Sequence, residues 1–388
     1  TDRRTPANSV DRDAFRDMAR KFAREVMRPK AAHHDETSEF PRAIMVSAWE
    51  NGLLNMNLPE SCGGLALSHL DQLIAYEELA WGCSGMATSM TANDLANLPI
   101  VLGASEEQKK RLLTPFTEKF KLAAFCLTEP EAGSDIARGA QTTARREGDT
   151  WVLDGAKRWI GNASYAHVIV IYARDVADGQ VKAFVLEREP DTEFPAGFEP
   201  TVITGKIGKR AILQPDIVIS GLRIPEADRL PGCSSFKDVN RVLSTTRGGV
   251  AVETLGHAVA AYEAAVAYAG QRVQFGKPIA GHQLVQGQLA TMLADVTNIK
   301  LTCFRLLELQ DQGRLTGPMA SLAKMSAARQ ARRVTSMARD ILGGNGLLLE
   351  NHVARHLTDM EVVYTYEGTD SMQSLIVGRA ITGVSAFA

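Results

Sequence analysis

The hydrophobic pattern of the chain changes period twice. From Asp11 to Met27 apolar side chains fall at Phe15, Met18, Ala19, Phe22 and Val26. That spacing predicts a helix, with Arg28-Pro29 as its stop. Further helices are predicted through Ile44, Met45, Ala48 and Trp49 to Gly52, from Leu70 to Ala80, and from Ala92 to Leu102. Ser105 and Gln108 match a capping box, with a hydroxyl at the N-cap and an amide three residues on. Near Lys121 the period shortens. Leu122 to Leu127, Trp151 to Leu153, Val168 to Tyr172, Val181 to Leu186 and Ile217 to Ile219 are short runs separated by turn residues such as Asp178-Gly179. They predict an antiparallel β-domain over 121–235. After Phe236 the helical period returns. One face runs from Val252 to Val266 and ends at Gly270, a second from Leu289 to Leu307 ends near Gly313, and a third helix starts at Pro318 and reaches Leu342. With a further helix after Gly368, these suit a four-helix bundle. The expected architecture is α+β: a helical domain over 1–120, the β-domain over 121–235 and the bundle over 236–388.

Composition narrows the function classes. In 388 residues, 45% hydrophobic and 23% charged side chains describe an ordinary globular protein, and a net charge of −2 gives no general pull towards nucleic acid or anionic lipid. The five scattered cysteines form no CxxC or Cys/His cluster, so no metal and no disulfide framework is expected. Thr1 to Arg4 lack an apolar signal region, no run approaches the roughly 18 apolar residues of a membrane helix, and Val384 to Ala388 form no peroxisomal address. The default expectation is a cytoplasmic protein.

The chemistry centres on Tyr364-Thr365-Tyr366-Glu367-Gly368-Thr369-Asp370. A carboxylate shielded by tyrosines has its charged form disfavoured, so its pKa should rise towards the value useful to a general base near pH 7. A solvated loop glutamate at a helix start is the plain alternative. Four other motifs precede it: Thr128-Glu129-Pro130-Glu131-Ala132-Gly133-Ser134-Asp135, Lys157-Arg158-Trp159-Ile160-Gly161-Asn162, Arg272-Val273-Gln274-Phe275-Gly276 and Ile341-Leu342-Gly343-Gly344-Asn345-Gly346. Each alone is an ordinary turn, helix end or core aromatic. Five in this order, in α–β–α context, resemble the acyl-CoA dehydrogenase family over nearly the whole chain. Within it, the segments Leu375 to Gly383, Asp228 to Gly232 and Trp159 to Asn162 are similar to glutaryl-CoA dehydrogenases and plant short-chain acyl-CoA oxidases.

The resemblance implies an FAD enzyme in which Glu367 takes the α-proton of an acyl-CoA and the flavin takes a hydride from the β-carbon. It assigns Phe125, Leu127, Thr128, Gly133, Ser134, Trp159, Gly161 and Thr369 to the flavin side. Arg272, Phe275, Gln283, Asp340, Gly343 and Gly344 are assigned to the nucleotide end, the glycines serving another subunit of an expected homotetramer. Substrate contacts fall to Ser134, Arg247, Tyr366, Gly368, Met90 and Ala87. Some family members carry the base on an earlier helix, where this chain reads Thr246-Arg247-Gly248 without an acid. Arg247 is a candidate for CoA, or for a surface salt bridge. Gly161 stands where most members have a hydroxyl facing flavin N5, which opens the oxidase reading with O₂ in place of an electron-transferring flavoprotein as acceptor. Ala87 stands where glutaryl-CoA enzymes hold a carboxylate with arginine, so an uncharged, short- to medium-chain acyl group and no decarboxylation are expected. A glutaryl-CoA-type dehydrogenase and a flavin- or CoA-binding scaffold are the remaining alternatives, and the presence of Glu367 weighs against the scaffold.

Overall fold

In the computed structural model, residues 11–190 and 192–386 are described; the termini read above for targeting signals lie in part outside them. The N-terminal helices are α1 (Arg12–Phe22), α2 (Arg28–Thr37), α3 (Arg42–Glu50), α4 (His69–Gly82), α5 (Ser84–Gly103), α6 (Glu106–Leu113) and the single turn α7 (Pro115–Glu118). Pro29 does not end the first helix. A π-helical turn over Ala23–Met27 widens the backbone just before it, which relieves the clash of the proline ring with the preceding turn, and helix resumes at Arg28. Ser105 and Gln108 form the capping box by both of its hydrogen bonds, an arrangement typically worth about 1 kcal/mol.

The middle region carries β1 (Ala123–Cys126), the short α8 (Ile136–Gly139), β2 (Thr143–Glu147), β3 (Thr150–Lys157), β4 (Val168–Asp175), β5 (Val181–Glu187), β6 (Phe198–Val202) and β7 (Pro215–Pro225). Their order is β1-β4-β2-β3-β7-β6, with β5 also on β4. The sheet is mixed, not purely antiparallel as the hairpin signals suggested. β4 runs parallel to β1 and to the start of β2, because both pairings join segments distant in sequence, where no hairpin dictates direction.

The C-terminal region is built on α9 (Phe236–Gln271), followed by the small ribbon β8 (Val273–Gln274) and β9 (Lys277–Pro278), α10 (Gln283–Asp311), α11 (Gly317–Leu342), α12 (Val353–Thr365) and α13 (Asp370–Thr382). α12 is absent from the four helices read from the pattern. Its buried face mixes Val353, Met360 and Val363 with Arg355, His356 and Asp359, so charge interrupts the apolar stripe. α9 packs against α4, α10, α11 and α12, and one apolar core joins the N-terminal helices to the bundle. Two further cores fill the faces of the sheet. All five cysteines are buried free thiols, and no described helix is long and apolar enough to cross a membrane.

Candidate active site

Glu367 lies in the loop between α12 and α13, with φ at +49°. A non-glycine residue in that region stores about 1–3 kcal/mol of strain, which the surroundings must hold. Here they do so through backbone carbonyls. Lys324 of α11 donates to the carbonyls of Tyr366 and Gly368. The Gln373 side-chain amide donates to those of Glu367 at 3.0 Å and Gly368 at 2.9 Å. Gly368 has φ +87°, and a Cβ there would stand 2.5 Å from Gln373 Nε2, so both backbone and packing exclude a side chain. Thr369 caps α13 by accepting the Met372 N–H.

The carboxylate is close to shut off. Thr246 of α9 donates its hydroxyl to Oε1 at 2.8 Å, while Oε2 is buried with no hydrogen-bond partner. Burial pushes the carboxyl above its usual range. The Thr246 bond and the charges of Lys324 and Arg247 pull it back only in part. Burial likewise lowers the Lys324 ammonium to about 8, with Glu367 opposing the shift. Arg247, one residue beyond Thr246, is half-buried with its Nε unpartnered, and it makes no ion pair among the described residues. It is therefore not the surface salt bridge of the alternative reading.

A second group of candidate residues lies in the β-domain. The Arg158 N–H donates to the Thr128 carbonyl at 2.9 Å, joining the two motifs. Beneath them Lys157, fully buried, donates to the Leu127 carbonyl at 3.0 Å and to Glu129 Oε1 at 2.9 Å. Glu129 also accepts the backbone N–H groups of Gln141 and Thr142. Burial alone would raise the Glu129 carboxyl; Lys157 and these bonds outweigh it and hold it below the usual range. Trp159 has φ +65° and leaves 46% of its surface open, with the Arg158 guanidinium 4.9 Å from its ring centre. Asn162, also left-handed, exchanges two hydrogen bonds with Ser89 of α5. A Cβ on Gly161 would meet Ile212 Cδ1 at 2.9 Å and Ala92 of α5 at 3.7 Å. Phe125 is half-buried, Leu127 is buried, and Gly133 and Ser134 are exposed on the turn. An open indole face beside a side-chain-free backbone and a turn rich in N–H groups fits a flat, polar-edged ring system such as a flavin.

The nucleotide-end residues are elsewhere. Arg272 follows α9, 26 residues beyond Thr246, or about 39 Å along the helix. Tyr268, Arg272, Gly343, Gly344 and Asn345 border a surface cleft of about 380 Å³ there. Gln283 and Asp340 are exposed, Asp340 pairs with Arg339 at 2.7 Å, and Phe275 is 95% exposed. These residues therefore lie at the far end of α9 from Thr246 and the base it binds.

Met90 and Ala87, expected as substrate contacts, are buried in the apolar core. The residue of that turn that retains exposure is Thr88. Thr88 Oγ1 donates to Glu253 Oε1 at 2.9 Å, Ser84 Oγ donates to the same oxygen at 2.8 Å, Lys209 donates to both Thr88 and Glu253, and the Tyr366 hydroxyl donates to Glu253 Oε2. Burial would raise Glu253, but Lys209 and His257 dominate and hold it at about 2. Removing one partner of such a buried pair costs about 3–5 kcal/mol. Lys209, Glu253, Lys324 and Gln373 were not singled out from the sequence. The legible signal was charge inside apolar helix faces, as Glu253 between Val252 and Leu255 and Lys324 after Ala323.

Comparison with known proteins agrees with this arrangement. The N-terminal, middle and C-terminal domain models of acyl-CoA dehydrogenases match residues 9–119, 124–221 and 236–382. The short-chain specific acyl-CoA dehydrogenase of Bos taurus mitochondria is 36% identical over 369 residues, covering 94% of this chain and 88% of that one. A glutaryl-CoA dehydrogenase crystal structure from Mycobacterium smegmatis is 37% identical with a TM-score of 0.92, covering 98% of this chain and 97% of that one. A second from the same organism, in complex with FADH2, is 30% identical with the same TM-score and coverage. A chain matched by all three domain models, carrying both a buried carboxylate at Glu367 and an open indole at Trp159, leads to one assignment: the chain belongs to the acyl-CoA dehydrogenase family of FAD-dependent oxidoreductases.

Proposed function

We propose that the protein removes one hydrogen each from the α- and β-carbons of a short- to medium-chain, uncharged acyl-CoA, giving the trans-2-enoyl thioester. The observation that carries this reading is Glu367, a strained and nearly sealed carboxylate with one oxygen unpartnered. Bound FAD supplies the acceptor for the β-hydride. Glu367 Oε2 takes the α-proton, since Oε1 is held by Thr246. The loop carbonyls, fixed by Lys324 and Gln373, keep the carboxylate aimed. Arg247, with an unpaired donor, serves the CoA phosphates or carbonyls. Trp159, Gly161, Thr128 and Ser134 seat the flavin ring from the β-domain.

The nucleotide half of the same cofactor is taken to be bound by Arg272, Phe275, Gln283, Asp340, Gly343 and Gly344 of another copy, in a homotetramer. The about 39 Å along α9 between Thr246, which binds the base, and Arg272 supports that reading, as does the exposure of Phe275. The electron acceptor is an electron-transferring flavoprotein. One feature favours O₂ instead: Gly161 presents only backbone, and Ile212 occupies the place of a side chain there.

The test is Glu367→Gln in the holoenzyme. FAD should stay bound, while anaerobic bleaching of the flavin by acyl-CoA should slow by at least about 10³-fold. Bleaching at a rate near that of the parent would remove Glu367 from its role. Admitting air to the bleached parent then decides the acceptor, since rapid recovery with stoichiometric peroxide is the oxidase outcome.

A further inference from the structure

The pair Lys209–Glu253 is unexpected beside a site for a hydrocarbon chain. Two opposite charges taken out of water are often no better than well-packed apolar side chains of equal volume. Nothing in the packing of α9 calls for them, since Val252 and Leu255 flank Glu253 in the core. Yet the fold goes to some length to build the pair. Lys209 adopts φ +52°, and its backbone N–H is bound by Asp359 of α12. The preceding Gly208 lies so close to α12 that a Cβ would sit 2.5 Å from the Thr358 carbonyl. This contact turns the Lys209 side chain inward, where only 1% of it remains exposed. Glu253 keeps 12% exposure, and Thr88 and Tyr366 are also partly open, so the cluster has one open side.

That side adjoins the base. Tyr366, whose hydroxyl holds Glu253, is the residue before Glu367. Glu253 is seven residues beyond Thr246 on α9, hence two turns along the same face and about 10.5 Å from the group that binds the base. Thr88 is one turn of α5 before Ala92, which lies against Gly161. The cluster therefore lies between the loop that carries the base and the α5 turn that lies against Gly161.

We propose that Lys209, Glu253, Thr88 and Tyr366 form a polar subsite for a neutral hydrogen-bonding group, a hydroxyl or carboxamide, carried on the distal part of the acyl chain. This deepens the dehydrogenation reading and rests on it. The chemistry selects that class by charge and by hydrogen-bond capacity. Lys209 has two partners for three N–H donors, and Glu253 Oε2 has one partner for two lone pairs. A hydroxyl or amide offers both an acceptor and a donor to match. A distal carboxylate would bring a second anion against Glu253, and an ammonium a second cation against Lys209, in a largely buried place where screening is weak. A methyl end would leave the spare donor and acceptor unmet.

The experiment is a matched series of n-acyl-, ω-hydroxyacyl-, ω-carbamoylacyl- and ω-carboxyacyl-CoA thioesters of equal length, given to the FAD-loaded enzyme. The wild type should prefer the hydroxyl or amide end over the methyl end by about tenfold or more in kcat/KM, because unmatched buried polar groups are penalised. It should reject the carboxylate. The double substitution Lys209→Met with Glu253→Met removes both charges together and should reverse the preference towards the methyl end. A wild type that favours the methyl or carboxylate end overturns the subsite, and that comparison needs no variant. So does a folded double variant with unchanged preference. Failure of every thioester in the series to bleach the bound flavin would instead overturn the dehydrogenation reading.

Discussion

Thr246 and Glu367 decide how the base works. A hydrogen bond to the ionised carboxylate favours that form, while burial favours the neutral one, and at Glu367 burial dominates. Only ionised Glu367 can accept the α-proton, so kcat/KM should rise with pH through a carboxyl pKa above the ordinary value and level off beyond it. Thr246→Val deletes the bond at 2.8 Å without changing side-chain size. The loss disfavours the anion, so the inflection should move to higher pH and activity near neutrality should drop. A pH–rate profile of the two proteins checks both statements; an inflection that stays in place would mean that Thr246 does not act on the base. The same position illustrates what residue types alone convey. Thr246 was read as a missing acid, and in the folded protein it is the partner of the acid on another element.

At the scale of elements, the site is the junction of α9, α11 and the α12–α13 loop. α11 contributes Lys324, whose ammonium substitutes for water at carbonyls that no helix can satisfy. Lys324→Met keeps the length and apolar stem of the side chain but strips the Tyr366 carbonyl of its Lys324 donor, at about 1–3 kcal/mol, and leaves Gly368 held by Gln373 alone. A lower Tm and a fall in kcat larger than the change in KM are expected, as read by thermal unfolding and steady-state kinetics. A purely structural lysine would lower Tm and leave kcat alone. The long helices were legible because α9, α10 and α11 keep the 3.6-residue period over many turns. α12 was not, because Arg355, His356 and Asp359 are buried with polar partners from other elements and break the stripe. The parallel pairings of β4 were hidden for a related reason: strand direction between distant segments is set by packing, not by a turn.

For the whole molecule, the proposed cofactor site would draw on the β-domain of one copy and the far end of α9 of another. Phe275, 95% exposed in a left-handed ribbon turn, lies next to Arg272 at the far end. A solitary chain would tolerate Phe275→Asp with little effect. In the oligomer proposed here, the substitution places a charge against another copy, so subunits should dissociate and FAD should be retained less well. Light scattering and flavin-to-protein absorbance ratios of the purified variant decide between the two. Unchanged mass and unchanged flavin content would refute the shared cofactor site.

What the sequence determined by itself was whatever is local or repeated: helical and strand periods, the Ser105 cap, the five ordered motifs and the carboxylate of Glu367. Those depend on neighbours a few residues away and survive being read along a line. What the tertiary structure alone decided was partnership. Thr246 with Glu367, Lys324 with the carbonyls around it, and Lys209 with Glu253 join residues 121, 42 to 44 and 44 positions apart. The energy of a buried charge depends on what surrounds it in space, and neither the raised carboxyl of Glu367 nor the buried Lys209–Glu253 pair exists until those elements pack.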